Sequence, residues 1–246
     1  MRRSTLSALA LAIALSPASA GVARAQAPSG SRDITDQVPP AALIKECNRT
    51  YDRFKSFDGT IVIRRIAGDE HQTVTNRIRA LMGNAGLILR GLIEQSSDVA
   101  THKVASQDSR RIYEDSDGTH YVYDRRKEYA EVAGEPSHLS DMFQDPLKEA
   151  FRTVHEYRVF EGVVDGRLVD MMYGTKGDAM VMVIVEKKTM TYIDVHIEVT
   201  AGGVKRTVDA FTKSQEIGAP IAAGALAWRA PAGYTKVAVR EDADPW

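Results

Sequence analysis

Between Thr191 and Phe211 the chain reads TYIDVHIEVTAGGVKRTVDAF, and this stretch limits the fold more than any other. Ile193, Val195, Ile197 and Val199 alternate with Tyr192, Asp194, His196 and Glu198, the period of a strand with one apolar and one polar face. Gly202-Gly203 then returns the chain into a second strand, Val204 to Phe211. Two glycines between alternating runs are a hairpin signal, and a helix cannot satisfy a period of two. The chain is therefore committed to an antiparallel sheet with one buried face.

Other segments repeat the signal. EYRVFEGVV and RLVDMMYG flank Asp165-Gly166, a second hairpin turn, and AMVMVIVE follows. Upstream, GTIVIRRIAG closes on Gly68-Asp69, and QTVTNRIRAL and LILRGLIEQ are separated by a turn at Gly83 to Gly86. RRIYEDSDGTHYVYDRRKEYAEV gives three strands broken at Ser116–Gly118 and Asp124–Lys127, while Ser96 to Ser109 carries no clear pattern. After Phe211 we expect a loop, a short strand at Leu226–Arg229, a Pro-Ala-Gly turn and a last strand. Successive short connections make this a meander.

Two segments keep helical spacing. Leu43, Cys47, Tyr51 and Phe54 recur at three- and four-residue steps after Pro39-Pro40, predicting a helix that ends near Phe57-Asp58-Gly59. SHLSDMFQDPLKEAF places Leu139, Met142 and Phe143 on one stripe and Leu147, Ala150 and Phe151 on another, and Pro146 predicts two short helices or one kinked helix.

The N-terminus, MRRSTLSALALAIALSPASAGVARA, has a basic start, a short apolar run and small-x-small sites ending at Ala20 and Ala25. We read residues 1–25 as a secretory signal peptide, which leaves no membrane span after processing. Residues 26–39 form a flexible leader, 40–240 one folded domain and 241–246 a tail. Removing Arg2, Arg3 and Arg24 takes the net charge from −1 to −4. A mildly acidic, mixed-charge chain lacks the basic patch that nucleic acid demands, and no polybasic run would hold it to an anionic membrane. The single cysteine, Cys47, excludes an intramolecular disulfide and reads as a small apolar helix residue.

The stretch DGTHYVYDRRKEYAEV reads as strand, turn and strand, with Tyr121 and Tyr123 beside Thr119 on one face. The six histidines, His71, His102, His120, His138, His155 and His196, share no metal-ligand spacing. No nucleophile elbow, phosphate loop or dinucleotide fingerprint is present. Pairs such as Asp115/Asp117 and Glu128/Glu131 are of a kind that strand turns collect for solvation. We expect neither catalysis nor a cofactor or metal.

Taken in order, a helix running into YDRFKSFDGTIVI, then DGTHYVYDRRKEYAEV, VDGRLVDMMYGTK, VEKKTMTYIDVHIEVT and a closing WRAPAGYTKV resemble the LolA-like lipoprotein-carrier superfamily, which includes LolB- and RseB-like proteins. The resemblance covers roughly Pro40 to Val239 and implies a mainly antiparallel β (α+β) fold. Its form would be a strongly curved, unclosed half-barrel with a helix lid over an apolar cavity. The stripes that would line such a cavity are Leu43, Tyr51 and Phe54, then Leu139, Met142, Phe143 and Leu147. On the strands they are Ile61, Ile63, Val181, Val183, Ile193, Val195 and Ile197. The function that the resemblance implies is an exported soluble carrier of the periplasm that binds lipid, lipoprotein acyl chains or another amphiphile in that cavity. An RseB-like module that senses envelope state through a protein partner is the alternative. The arginine that helps to hold the lid closed in such carriers has three candidates here, Arg64, Arg65 and Arg77. Trp228 stands where the family more often has phenylalanine.

Overall fold

A computed structural model describes residues 30–84, 87–101, 105–134, 139 and 141–239, with the side chains of 141–145 and 223 left aside. The expected signal peptide (1–25), the expected C-terminal tail (241–246), His102 and His138 lie outside the described residues.

The described strands form one sheet. In chain order they are β1 (Arg32–Asp33), β2 (Ser56–Ala67), β3 (Glu70–Met82), β4 (Ile88–Ala100), β5 (Ala105–Asp115), β6 (Gly118–Tyr123), β7 (Glu128–Ala133), β8 (Arg158–Val164), β9 (Arg167–Lys176), β10 (Ala179–Glu186), β11 (Thr191–Ala201), β12 (Val204–Ile217) and β13 (Thr235–Lys236). Their order across the sheet is β1-β8-β9-β10-β11-β12-β2-β3-β4-β5-β6-β7-β13. Every pairing is antiparallel except β13 with β7, and β1 and β13 leave the two edges unjoined. The hairpin turns are as the sequence requires: Asp165 and Gly166 have φ 48° and 76°, and Gly202 and Gly203 have 59° and 76°. Two successive positive φ values give the turn whose twist matches its strands.

Helices α1 (Pro40–Tyr51) and α2 (Asp141–Thr153) lie on one face of the sheet, α1 against β11 and α2 against β10 to β12. Leu43, Cys47 and Tyr51 are buried on α1. Pro146 sits inside α2, which is a single helix and not two. As the sixth residue it forgoes only the bond to the Met142 carbonyl, so the helix continues. Among the described residues no helix is long and apolar enough to cross a membrane.

Four expectations need correction. The first helix ends at Tyr51, not near Gly59, because Phe57 to Gly59 pair with both β3 and β12. Gly59 lies beside a register shift in β12, where a Cβ would meet the Ser214 carbonyl oxygen at 2.7 Å. Part of the expected leader is built into the fold: Arg32 and Asp33 pair with β8, and Ile34 is buried in the core. Two paired residues are too few to show a period. No strand forms at Leu226–Arg229. Ala223–Leu226 is a 3-10 turn, and the following segment is held by side chains, with Trp228 stacked on His120 at 4.6 Å and near Tyr113 and Tyr129.

The fourth correction concerns β11. Ile184 pairs with Asp194 but Val185 pairs with Tyr192, so Ile193 is an extra residue in a bulge. Tyr192 therefore joins the helix-covered face, fully buried, and Ile193 leaves it. Ile193 packs instead against Phe160, Val169, Met171 and Ile184 on the opposite face.

Candidate functional site

The helix-covered face carries one continuous apolar cluster. Leu43, Tyr51, Phe54, Ile61, Leu139, Leu147, Val181, Val183, Val195 and Ile197 all belong to it, and Ile63 packs against it. Ile193 lies on the other face, and the side chains of Met142 and Phe143 lie outside the described residues. The structure thus brings together most of the stripes that the sequence offered, contributed by both helices, by Leu139 ahead of α2 and by strands β2, β10 and β11.

Helix α1 is fixed to the sheet by polar bonds as well as apolar contact. The Tyr51 hydroxyl accepts the Tyr192 N–H at 3.2 Å, and the Tyr192 hydroxyl donates to Asn48 Oδ1 at 3.0 Å. The two rings stack with centroids 5.7 Å apart. Thr212 Oγ1 donates to the Tyr192 carbonyl at 3.0 Å. Burial pushes both phenols above their ordinary range, and it pushes the Cys47 thiol up to about 12, so this thiol stays protonated and unreactive. The bulge that displaced Ile193 is what turns Tyr192 toward the helix.

Between α1 and the C-terminal end of α2 lies an open cleft of about 690 Å³. Ile44, Phe151, Val154 and Tyr157 form its apolar wall, and Lys45, Arg49, Asp52 and His155 stand around it. Val154 belongs to the core cluster, and Ile44, Phe151 and Tyr157 pack against it, so the wall is the outer surface of that cluster. Tyr157 is held by its hydroxyl, which donates to the Ala150 carbonyl at 2.7 Å. Sequence reasoning missed Ile44 and Tyr157. Ile44 is one step off the buried stripe of α1, which is the only signal it gives.

Of the three candidate arginines, Arg65 shares the helix-covered face. It pairs with Gln72 and donates to Gln72 Oε1 at 2.9 Å. Arg64 lies over the Phe211 ring on the other face, and Arg77 pairs with Asp58. The charged turn after β6 is also more than a solvated loop: Arg111 holds Asp124 through two bonds of 2.6 and 2.8 Å, and Tyr234 donates to the same carboxylate. These bonds hold the Asp124 carboxyl below its usual range. Asp115 contacts His120 at 3.3 Å, and Glu131 accepts from Trp228 and Lys236.

With this geometry in view, the chain can be compared with known proteins. MucB matches with a TM-score of 0.44 and 14% identity over 77% of this chain and 62% of that one, so the chain spans less than two thirds of MucB. A structure of the Pseudomonas aeruginosa MucA/MucB complex matches with a TM-score of 0.41 and 14% identity over 76% of this chain and 60% of that one. LprF from Mycobacterium bovis matches with a TM-score of 0.40 and 9% identity, over 73% of this chain and 93% of that one. These are likenesses of fold. No family model matches the chain, and no curated protein does.

Proposed function

We propose that this protein is an exported carrier that holds the acyl part of a lipid, lipoprotein or other amphiphile in the cleft between its two helices. One observation carries the reading: the cleft between α1 and α2 has an apolar wall continuous with the core cluster, over a sheet whose edges do not join. A chain laid there would extend the core instead of resting on a polar surface. Its volume lies within the range typical of small-ligand sites. Export rests on the N-terminal sequence, MRRSTLSALALAIALSPASA.

Chain-length dependence tests the reading. Burial contributes about 0.8 kcal/mol per methylene, so lengthening a neutral alkyl ligand by two methylenes should tighten binding by about 1.6 kcal/mol, roughly fifteenfold. Ile44→Lys should weaken every member of the series. Affinity independent of chain length, or unaltered in the variant, would exclude an acyl chain from this cleft.

A module that binds a protein partner is the second reading, favoured by the tip of the β8–β9 hairpin. Val163 and Leu168 pair there across the strands while 68% and 50% exposed. Such a module would bind its partner equally well with and without amphiphile.

A further inference from the structure

The cleft between α1 and α2 changes character along α1. The helix lines it with Ala41 and Ile44 near its start, then with Lys45, Asn48 and Arg49, and its C-cap Asp52 follows. Steps of three and four residues keep these on one side of the helix. From Ala41 to Arg49 that side runs about 12 Å, enough for part of an alkyl chain and a head laid end to end. Phe151 and Val154 face it as the apolar wall.

The polar half of this stripe is rich in donors. Asn48 Oδ1 is occupied by the Tyr192 hydroxyl at 3.0 Å, so the exposed amide offers the cleft its NH2. Lys45 is exposed and has no ion-pair partner among the described residues. Arg49 shares a single carboxylate, Glu46, with Arg53, at 3.5 and 3.9 Å, and Glu46 does not line the cleft. Lys45, Arg49 and Arg53 against Glu46 and Asp52 leave this side of α1 with a positive excess, to which His155 opposite can only add. Around the end of α2, Lys148 and Arg152 offset Glu149 and Glu156, and none of these four lines the cleft. The acids of the helix-covered sheet face do not line it either. Asp170 is paired with Lys187 at 3.4 Å, and Glu161 with Lys187 and Arg32. Glu70, Asp108, Glu114 and Glu128 stand on β3, β5 and β7, further along the sheet from β11, against which α1 packs. The negative end of the α1 dipole and Asp52 both disfavour an anion at the far end of the stripe, which places it closer to Lys45.

We propose that Lys45, Arg49 and the Asn48 amide are the head-group subsite of the cleft. The amphiphile lies along α1, its chain against Ile44, Phe151 and Val154 and a phosphate or carboxylate at the Lys45–Arg49 pair. An ammonium, a guanidinium and an amide side by side suit an anion with several acceptor oxygens. This rests on the carrier reading and adds the sign of the head and the direction of the ligand.

The test is titration calorimetry on the whole purified chain with lauroyl lysophosphatidic acid and monolauroylglycerol, both below micelle formation. The two share chain and glycerol and differ by the phosphate. The phosphate ligand should bind about tenfold more tightly, and added salt should shrink that preference. Lys45→Gln combined with Arg49→Gln should remove the preference and leave monolauroylglycerol affinity within about twofold, since the chain contacts persist. Asp52→Asn should act in the opposite direction, tightening the phosphate ligand by about twofold and leaving the neutral one unchanged. All three positions are exposed, so the variants should fold, which circular dichroism melts check. Equal affinities in the unaltered protein, or a preference that survives the double substitution, would overturn the subsite alone. So would a weaker phosphate ligand in Asp52→Asn. Failure of both ligands to bind would overturn the carrier reading with it. Displacement of the bound ligand by equimolar glycerol 3-phosphate would overturn the placing of chain and head in one cleft.

Discussion

The attachment of α1 to the bulge in β11 gives a sharp test, because its two tyrosine hydroxyls face opposite consequences. Tyr51→Phe removes the acceptor of the Tyr192 N–H, and both residues are at most 2% exposed. The donor is left buried without that partner, a loss of about 1–3 kcal/mol. Tyr192→Phe removes a donor to Asn48 Oδ1, but Asn48 lines the open cleft and its amide can bind water instead. That change should cost only about 0.5–1 kcal/mol. Both variants keep the ring stack, so the contrast isolates the polar bonds. For a chain of this size each kcal/mol moves the melting temperature by roughly 2–4 °C, which places Tyr51→Phe about 4–8 °C below the unaltered protein at the middle of its range. Urea unfolding followed by circular dichroism should show a lower midpoint with an unchanged slope. If Tyr192→Phe proved as damaging as Tyr51→Phe, solvation at the cleft would not be what separates the two bonds.

Two further outcomes follow from the face opposite the helices. Burial, with Asp209 nearby, raises the Asp194 carboxyl to about 6, and the Nδ1 contact of 2.5 Å with Asp209 raises His196. A carboxyl raised on folding keeps its proton longer in the folded state, so this group lowers stability as pH climbs from about 4 to 6. Asp194→Asn should be neutral at pH 4 and stabilising by about 1–3 kcal/mol at pH 7, read from urea midpoints across pH; a gain already present at pH 4 would refute the titration. Trp228→Ala should cost about 2 kcal/mol for a half-buried aromatic and raise hydrogen exchange at the Thr235 and Val237 amides, which bond to β7 and its preceding turn; unchanged exchange there would mean that the stack does not hold the C-terminal segment.

The sequence by itself determined the antiparallel meander, both helices and ten of the buried residues of the apolar cluster, because periods of two and of three to four are local properties of the chain. Asp165-Gly166 and Gly202-Gly203 turn where they must, since few residues adopt two successive positive φ values. Where one face is not apolar the period vanishes, which is why Ser96 to Ser109 was unreadable: β4 and β5 carry Gln95, Ser97, Asp108 and Arg110 on their inner face. Only the tertiary structure decided the rest. A one-residue bulge exchanged Tyr192 for Ile193 on the helix side, and no local pattern announces which of two residues a partner strand will skip. Hydrogen bonds from Arg110 to Gln95 and from Gln95 to Asn76 join residues 34 positions apart in the chain, brought side by side by strand register alone. The cleft between α1 and α2 exists because two helices distant in sequence cross one sheet, a relation set by packing and not by the composition of either.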